Sequence, residues 1–393
     1  MRLTARAMRL GESATMRVAR RAAELRAQGH DIVDFGPGEP DFPSPPSAVE
    51  EAAAALAAGF TRYTAADGIP ELRRALAERY HAQHGAPWDL DQVVVTAGAK
   101  QALFELALAL FDDEHDVVLN TPCWVSFPEQ VRFAGSRVVS VPLDGGDGFR
   151  IHAGPILAAL GERTRAVILN SPGNPTGGIV TGDELRRIVE GCASRGVVVI
   201  ADETYERFVY HADGHASAAR LAAEFPETVV VVGSFSKSYA MTGWRLGYCL
   251  APRPIAKAVV RIQSHASSNP NSFAMRGALA ALEHGEPHVA AMIAEYRGRR
   301  DLVAERLCAL PGVRCTPPDG AFLVFPDVSA IYGEGLCGSA AFAERLLEEE
   351  GVAVVPGEAF GDDRHIRISY ACSRERLATG LTRLAEFVTS RAR

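Results

Sequence analysis

Short runs of apolar, mostly β-branched residues recur along the chain, each followed by a small or polar cluster and then by a stretch with helical spacing. Residues 93–96, 117–120, 166–170, 197–201 and 229–232 lack the alternation of a half-exposed strand, so they predict strands covered on both faces. Residues 246–251 resume the pattern. Stretches 46–58, 69–84, 100–110, 182–195, 254–263 and 272–284 predict helices between and around them. Strands alternating with helices imply an α/β protein built on a mostly parallel sheet. Upstream, Ser13 is placed to cap a helix running to about Gln28 and ended by Gly29, and a short strand is expected at 32–35. A long helix at about 287–310 connects a large domain to a smaller one, whose strands fall at 321–325, 352–355 and 365–370 and whose helices lie near 339–350 and 374–388.

At 393 residues, 47% hydrophobic and 23% charged, the chain is long enough for two domains and a large core. A net charge of −7 with dispersed Lys and Arg gives no reason to expect nucleic acid or an anionic membrane, which leaves small molecules as partners. Seven cysteines without a CxxC pair or zinc spacing suggest neither a disulfide framework nor a metal site, so a cytoplasmic location is the expectation. Residues 1–26 are basic and amphipathic rather than signal-like, and no later segment is apolar enough to span a bilayer.

Chemistry concentrates at strand ends. The link after the 229–232 run reads GSFSKSYAMTGWR: Ser234, Ser236, Ser238 and Thr242 bring hydroxyls, and Arg245 brings a planar guanidinium suited to phosphate. Lys237 sits among them, where loss of water and a nearby cation favour a neutral, nucleophilic amine. By itself a loop lysine is more often a surface residue. Residues 97–99, Ala-Gly-Ala between a strand and a helix, form an anion site by geometry, since free N–H groups and the helix dipole point at the turn. Lys100 opposes that dipole by a few tenths to about 1 kcal/mol, so an anion is expected to compensate it. Trp124, just past a strand end, can lay its indole on an aromatic ligand or simply join the core. Asp202 ends a buried strand where open α/β sheets bind ligands. Opposite charges 4 Å apart at an effective dielectric of 20 attract by about 4 kcal/mol, roughly three pKa units, enough to keep a cationic nitrogen of a ligand protonated. GPGEPDFPSPP at 36–46 reads as a linker, Asn174 as a turn residue, Tyr63 as a loop tyrosine and Glu203 as a structural or solvated side chain. In HIRISY the alternation sets Arg367 opposite Ile366 and Ile368, so the residues alone make it a surface arginine.

Taken together in this order, GEPDF, SPGNPTG, ADETY, SFSKSYAMTGWRLGY and the Arg367 strand resemble the class I pyridoxal-phosphate aminotransferases of fold type I, the aspartate aminotransferase family. The resemblance covers nearly the whole chain and is similar in detail to the aspartate/prephenate subgroup. It implies a large domain at 46–286 with a mostly parallel sheet between helices, and a small α/β domain made from both termini, 1–45 and 287–393. By the same resemblance Lys237 forms the Schiff base with pyridoxal 5'-phosphate. Gly98, Ala99, Lys100, Ser234, Ser236 and Arg245 bind the phosphate, Trp124 stacks on the ring, Asn174 and Tyr205 meet the ring oxygen, and Asp202 meets the ring nitrogen. Gly38 and Arg367 take the substrate α-carboxylate, Trp124 and Asn174 border it, and Lys100 with Ser13 and Thr15 face its side chain. Tyr63 reaches the phosphate of a second subunit, which implies a homodimer with shared sites.

The implied activity is ping-pong transfer of an amino group between an L-amino acid, aspartate- or glutamate-like, and a 2-oxo acid. Aromatic or alanine-type transfer, or a lyase on the same scaffold, is the alternative. Gly11 stands where relatives that use prephenate well tend to carry a basic residue, and Cys123 where relatives often have tyrosine. A nicotinamide dehydrogenase has no support, since no GxGxxG follows a strand. A sensor built on this domain is expected to carry a DNA-binding segment, and none is visible before Ser13 or after Val388.

Overall fold

The computed structural model describes residues 14–391 together with Thr4 and Met8. Ser13 and Gly11 lie outside the described residues, as does the side chain of Thr15. The chain enters through the helix Ala14–Ala27 and a short strand, β1 (Val33–Asp34). It then builds a large sheet from β2 (Val93–Thr96), β3 (Asp116–Thr121), β4 (Arg137–Pro142), β5 (Thr164–Asn170), β6 (Val198–Asp202), β7 (Val229–Ser234) and β8 (Gly247–Leu250). The order across this seven-stranded sheet is β2-β8-β7-β6-β5-β3-β4. All neighbours are parallel except at β8, which pairs antiparallel with both β2 and β7.

Alternation of buried side chains explains why these strands read as unbroken apolar runs. Val93, Val95, Val229 and Val231 point into one core, shared with the helices Pro70–His84, Gly182–Ala193 and Ser272–His284. Val94, Val230 and Val232 point into another, shared with the helices Ala99–Leu110 and Arg253–Ala266. A sheet covered on both faces needs no polar positions. A third core gathers β9 (Leu323–Val324), β10 (Val352–Ala353), β12 (Ile366–Ser369) and the helices Glu286–Cys308, Gly338–Glu350 and Arg374–Thr389. There β11 (Val355–Pro356), β12 and β9 form an antiparallel sheet, while β1 pairs in parallel with β10, so the N-terminal segment belongs physically with the C-terminal one. Among the described residues no helix is long and apolar enough to cross a membrane.

The pattern missed β4 and the helices Ser126–Ala134 and Ala153–Ala158. At the sheet's edge β4 has a mixed, partly exposed face in place of a buried run, and Pro128 and Pro155 sit inside the short helices, which weakens their signal.

Candidate active site

The parallel strands deliver their carboxyl ends to one side of the sheet, and the candidate residues collect there. β2 ends at Thr96 and the chain turns through Gly98, with φ at +89°, into the helix Ala99–Leu110. A side chain at Gly98 would begin 2.5 Å from Arg245 Nη2, and one at Gly247 of β8 would begin 2.3 Å from the Ala99 nitrogen. The turn is therefore a bare backbone cradle, with first-turn N–H groups that have no acceptor within the helix. Arg245 closes it, donating from Nη1 to the Thr242 carbonyl at 2.9 Å and from Nη2 to the Ala97 carbonyl at 3.3 Å. Ser234 Oγ accepts from the Ser236 nitrogen at 3.0 Å, and both serines are buried. Lys100 lies in the first helical turn with its amine 4.9 Å from the centre of the Trp124 ring. Lost hydration, then the Arg245 charge, lowers the pKa of that amine.

The floor of the cleft is more deeply buried. Asp202, the last residue of β6, accepts from the Thr204 nitrogen at 3.0 Å, and burial pushes its carboxyl up to about 6. A cation set beside it would reverse that shift. The Tyr205 ring packs edge-on against Phe208 and Phe322, and burial raises its phenol above the ordinary value. Trp124 is half-buried, edge-on to Phe127 with centroids 5.3 Å apart. Glu203 is buried and structural: it accepts from Ser217 Oγ and from the Ala218 nitrogen, each at 2.7 Å.

Lys237 rises from the short helix Phe235–Ser238 directly after β7. Its half-buried amine donates to the Gly38 carbonyl. Burial lowers its pKa to about 8; Glu39 opposes that shift, and Arg367, Arg245 and Lys100 add to it.

Arg367 overturns the surface reading that strand alternation suggested. It is 3% exposed, because β12 lies between β11 and β9 and both of its faces are covered. The guanidinium donates to Asn174 Oδ1 at 3.2 Å and to the Gly36 carbonyl, and it lies over the Phe360 ring with 5.1 Å to the centroid. Burial pulls its pKa down to about 10, so it remains a cation at neutral pH. Its Nε is buried without a hydrogen-bond partner, a donor left for an anion.

These groups line one cleft of about 1440 Å³. Gly38, Ala99, Lys100, Trp124, Asn174, Asp202, Tyr205, Ser234, Ser236, Lys237, Arg245 and Arg367 are all on its wall. Gly98 is not itself on that wall, and Tyr63 is away from it on a loop, 87% exposed.

Two features escaped the sequence reading. Asn170, at the end of β5, donates from Nδ2 to the Asp202 carbonyl at 3.2 Å and accepts from the Asn174 nitrogen at 2.8 Å, which ties two strand ends together. A polar residue closing an apolar run was the available signal. The second is a set of bonds from the 36–45 segment to the lysine loop, including Thr242 Oγ1 to Glu39 Oε2 at 2.8 Å. No local pattern announces a contact between segments so far apart.

The donor set suits a phosphorylated pyridine aldehyde: a backbone cradle with no room for a Cβ, a guanidinium, a buried carboxyl and an amine of lowered pKa.

A sequence model of the family described as "Aminotransferase class I and II" matches residues 30–384. The chain is 42% identical to a probable aspartate/prephenate aminotransferase of Aquifex aeolicus, with 97% of each chain covered. It is 41% identical to the aspartate/prephenate aminotransferase of Thermus thermophilus over 98% of each. Among solved structures it is similar to the Thermus thermophilus aspartate aminotransferase with maleate, at a TM-score of 0.93 and 40% identity, covering 98% of this chain and 100% of that one. It is also similar to the aspartate aminotransferase from Rhizobium meliloti, at a TM-score of 0.94 and 35% identity, covering 100% and 99%.

Proposed function

This chain belongs to the class I and II aminotransferases, and we propose that it uses pyridoxal phosphate to move amino groups between a dicarboxylic L-amino acid and a 2-oxo acid. The observation that carries the reading is the convergence of the Lys237 amine, the Asp202 carboxyl and the Arg367 guanidinium on one cleft. Gly98, Ala99, Lys100, Ser234, Ser236 and Arg245 would hold the phosphate, Trp124 the ring face, Asp202 the ring nitrogen, and Asn174 with Tyr205 the ring oxygen. When bound, the cofactor supplies an electron sink for the pair left on the substrate's α-carbon after deprotonation.

The chain's own residues do the rest. Arg367, with its free Nε and the adjacent Gly38 backbone, clamps the α-carboxylate and so fixes the α-carbon beneath Lys237. Lys237, whose pKa burial lowers to about 8, is neutral in roughly one molecule in ten at pH 7 and takes the proton from the α-carbon, which it would deliver to a carbon of the bound cofactor. Lys100, with Ser13 and Thr15, receives the distal carboxylate. The likeness to a structure with maleate, itself a four-carbon dicarboxylate, supports this choice.

We read the working unit as a cytoplasmic homodimer in which the exposed Tyr63 enters the partner's site. Residues 1–45 and 287–393 act as a small domain against a large one at 46–286; the pairing of β1 with β10 and the separation of the small sheets from the large one support that division. The test has two arms. Purified protein given pyridoxal phosphate should transaminate aspartate or glutamate with 2-oxoglutarate or oxaloacetate faster than alanine or phenylalanine. Lys237→Ala should lose both turnover and the borohydride-reducible adduct. An adduct that persists in the variant rules this lysine out.

A further inference from the structure

The 36–45 segment crosses the lysine loop and is fastened to it repeatedly. The Lys237 amine donates to the Gly38 carbonyl, Thr242 Oγ1 donates to Glu39 Oε2 at 2.8 Å, and Ser44 Oγ donates to the Ala240 carbonyl at 2.9 Å. The Trp244 indole donates in turn to Ser44 Oγ at 2.9 Å. We propose that Glu39 is a positioning residue for Lys237: held by the Thr242 hydroxyl, its carboxylate fixes over the lysine loop the segment whose Gly38 carbonyl accepts from the amine. The proposal rests on the reading of Lys237 given above and adds to it a group that governs when that amine becomes a base.

Charge supports the geometry. Lys237 is faced by Arg367 from β12, Arg245 from the end of its own loop and Lys100 from the helix Ala99–Leu110, and all of these cations disfavour its ammonium, as burial does first. Asp202 and Tyr205 line the same cleft from the sheet, yet Glu39 is the carboxylate whose field favours the ammonium. Gly38, whose carbonyl accepts from the amine, is its neighbour in sequence, so Glu39 contributes through the segment's position and through its own charge. Without it the amine would be neutral over a wider range of pH and less firmly seated on the Gly38 carbonyl.

The test is competitive acetylation of the full-length, cofactor-stripped protein with acetic anhydride between pH 6 and 10. Lys237 is read by peptide mass spectrometry, with the exposed Lys257 as the internal reference. Only the neutral amine reacts, so the midpoint of reactivity reports its protonation. Glu39→Gln should lower the Lys237 midpoint by roughly half a pH unit, a modest size because the Glu39 carboxylate is itself exposed to water. Glu39→Asp should restore most of the shift, and Thr242→Val, which frees the carboxylate without removing it, should lower the midpoint by less. A midpoint in Glu39→Gln that is unchanged or raised relative to Lys257 overturns the proposal. Should Glu39→Gln fail to fold, an unmoved midpoint in Thr242→Val does so instead. Because the labelling uses cofactor-free protein, it decides the role of Glu39 whether or not Lys237 is the amine trapped by borohydride.

Discussion

The two anion-receiving ends of the cleft are built on opposite principles. At one end the helix start at Ala99 and Lys100 offers backbone N–H groups, and Arg245 offers an exposed guanidinium bonded to the Thr242 and Ala97 carbonyls. At the other, Arg367 is buried, stacked over Phe360 and bonded to Gly36 and Asn174, residues from two segments remote in sequence. The first is a dock whose guanidinium stands open to solvent. The second is a preformed slot in which a desolvated cation waits with an unused donor. A buried charge that loses its partner costs far more than an exposed one, so the slot should be the less forgiving of the two.

Substitutions can break or sharpen that contrast. Arg367→Ala should reduce kcat/KM for every amino donor by roughly a thousandfold, on the order of 4 kcal/mol, since all donors share the α-carboxylate. Steady-state kinetics with aspartate and alanine would check it, and a loss confined to one donor would contradict the assignment. Arg245→Ala should weaken cofactor binding by roughly ten- to a hundredfold while leaving the ratio between donors unchanged. Absorbance titration of the cofactor-free protein measures the first quantity, and the donor panel the second. Lys100→Ala should have the smallest effect, lowering turnover of aspartate and glutamate roughly five- to tenfold more than that of alanine or phenylalanine. Equal losses across the panel would remove Lys100 from side-chain recognition.

The same contrast explains what could be read from the chain. The phosphate-side end lies in contiguous strings, with 97–99 beside Lys100 and Ser234 through Arg245, so local spacing is informative. Strand ends such as Asp202 were legible for a similar reason, because an apolar run that stops at a carboxylate marks the sheet's ligand side. Arg367 was misjudged from pattern alone. Alternation in HIRISY predicts two unlike faces, whereas the strand lies between two others with both faces covered, and only the family resemblance pointed inward. Asn170 and the Glu39–Thr242 bond were invisible because their partners are set by tertiary contact. For the fold, buried strands were located to within a few residues, while β4 at the edge and two short proline-containing helices left too weak an apolar imprint.

The parallel pairing of Val33 with Val352 has a bearing on how the molecule is made. Asp31 waits for Arg376 and Arg383 in the same way, so β1 has no strand partner until the residues from Val352 onward have been translated. The big sheet can assemble meanwhile from strands already synthesised. A nascent chain arrested before Val352 should therefore hold an ordered sheet and an unpaired β1, and synthesis of β10 is the event that gives that strand its place.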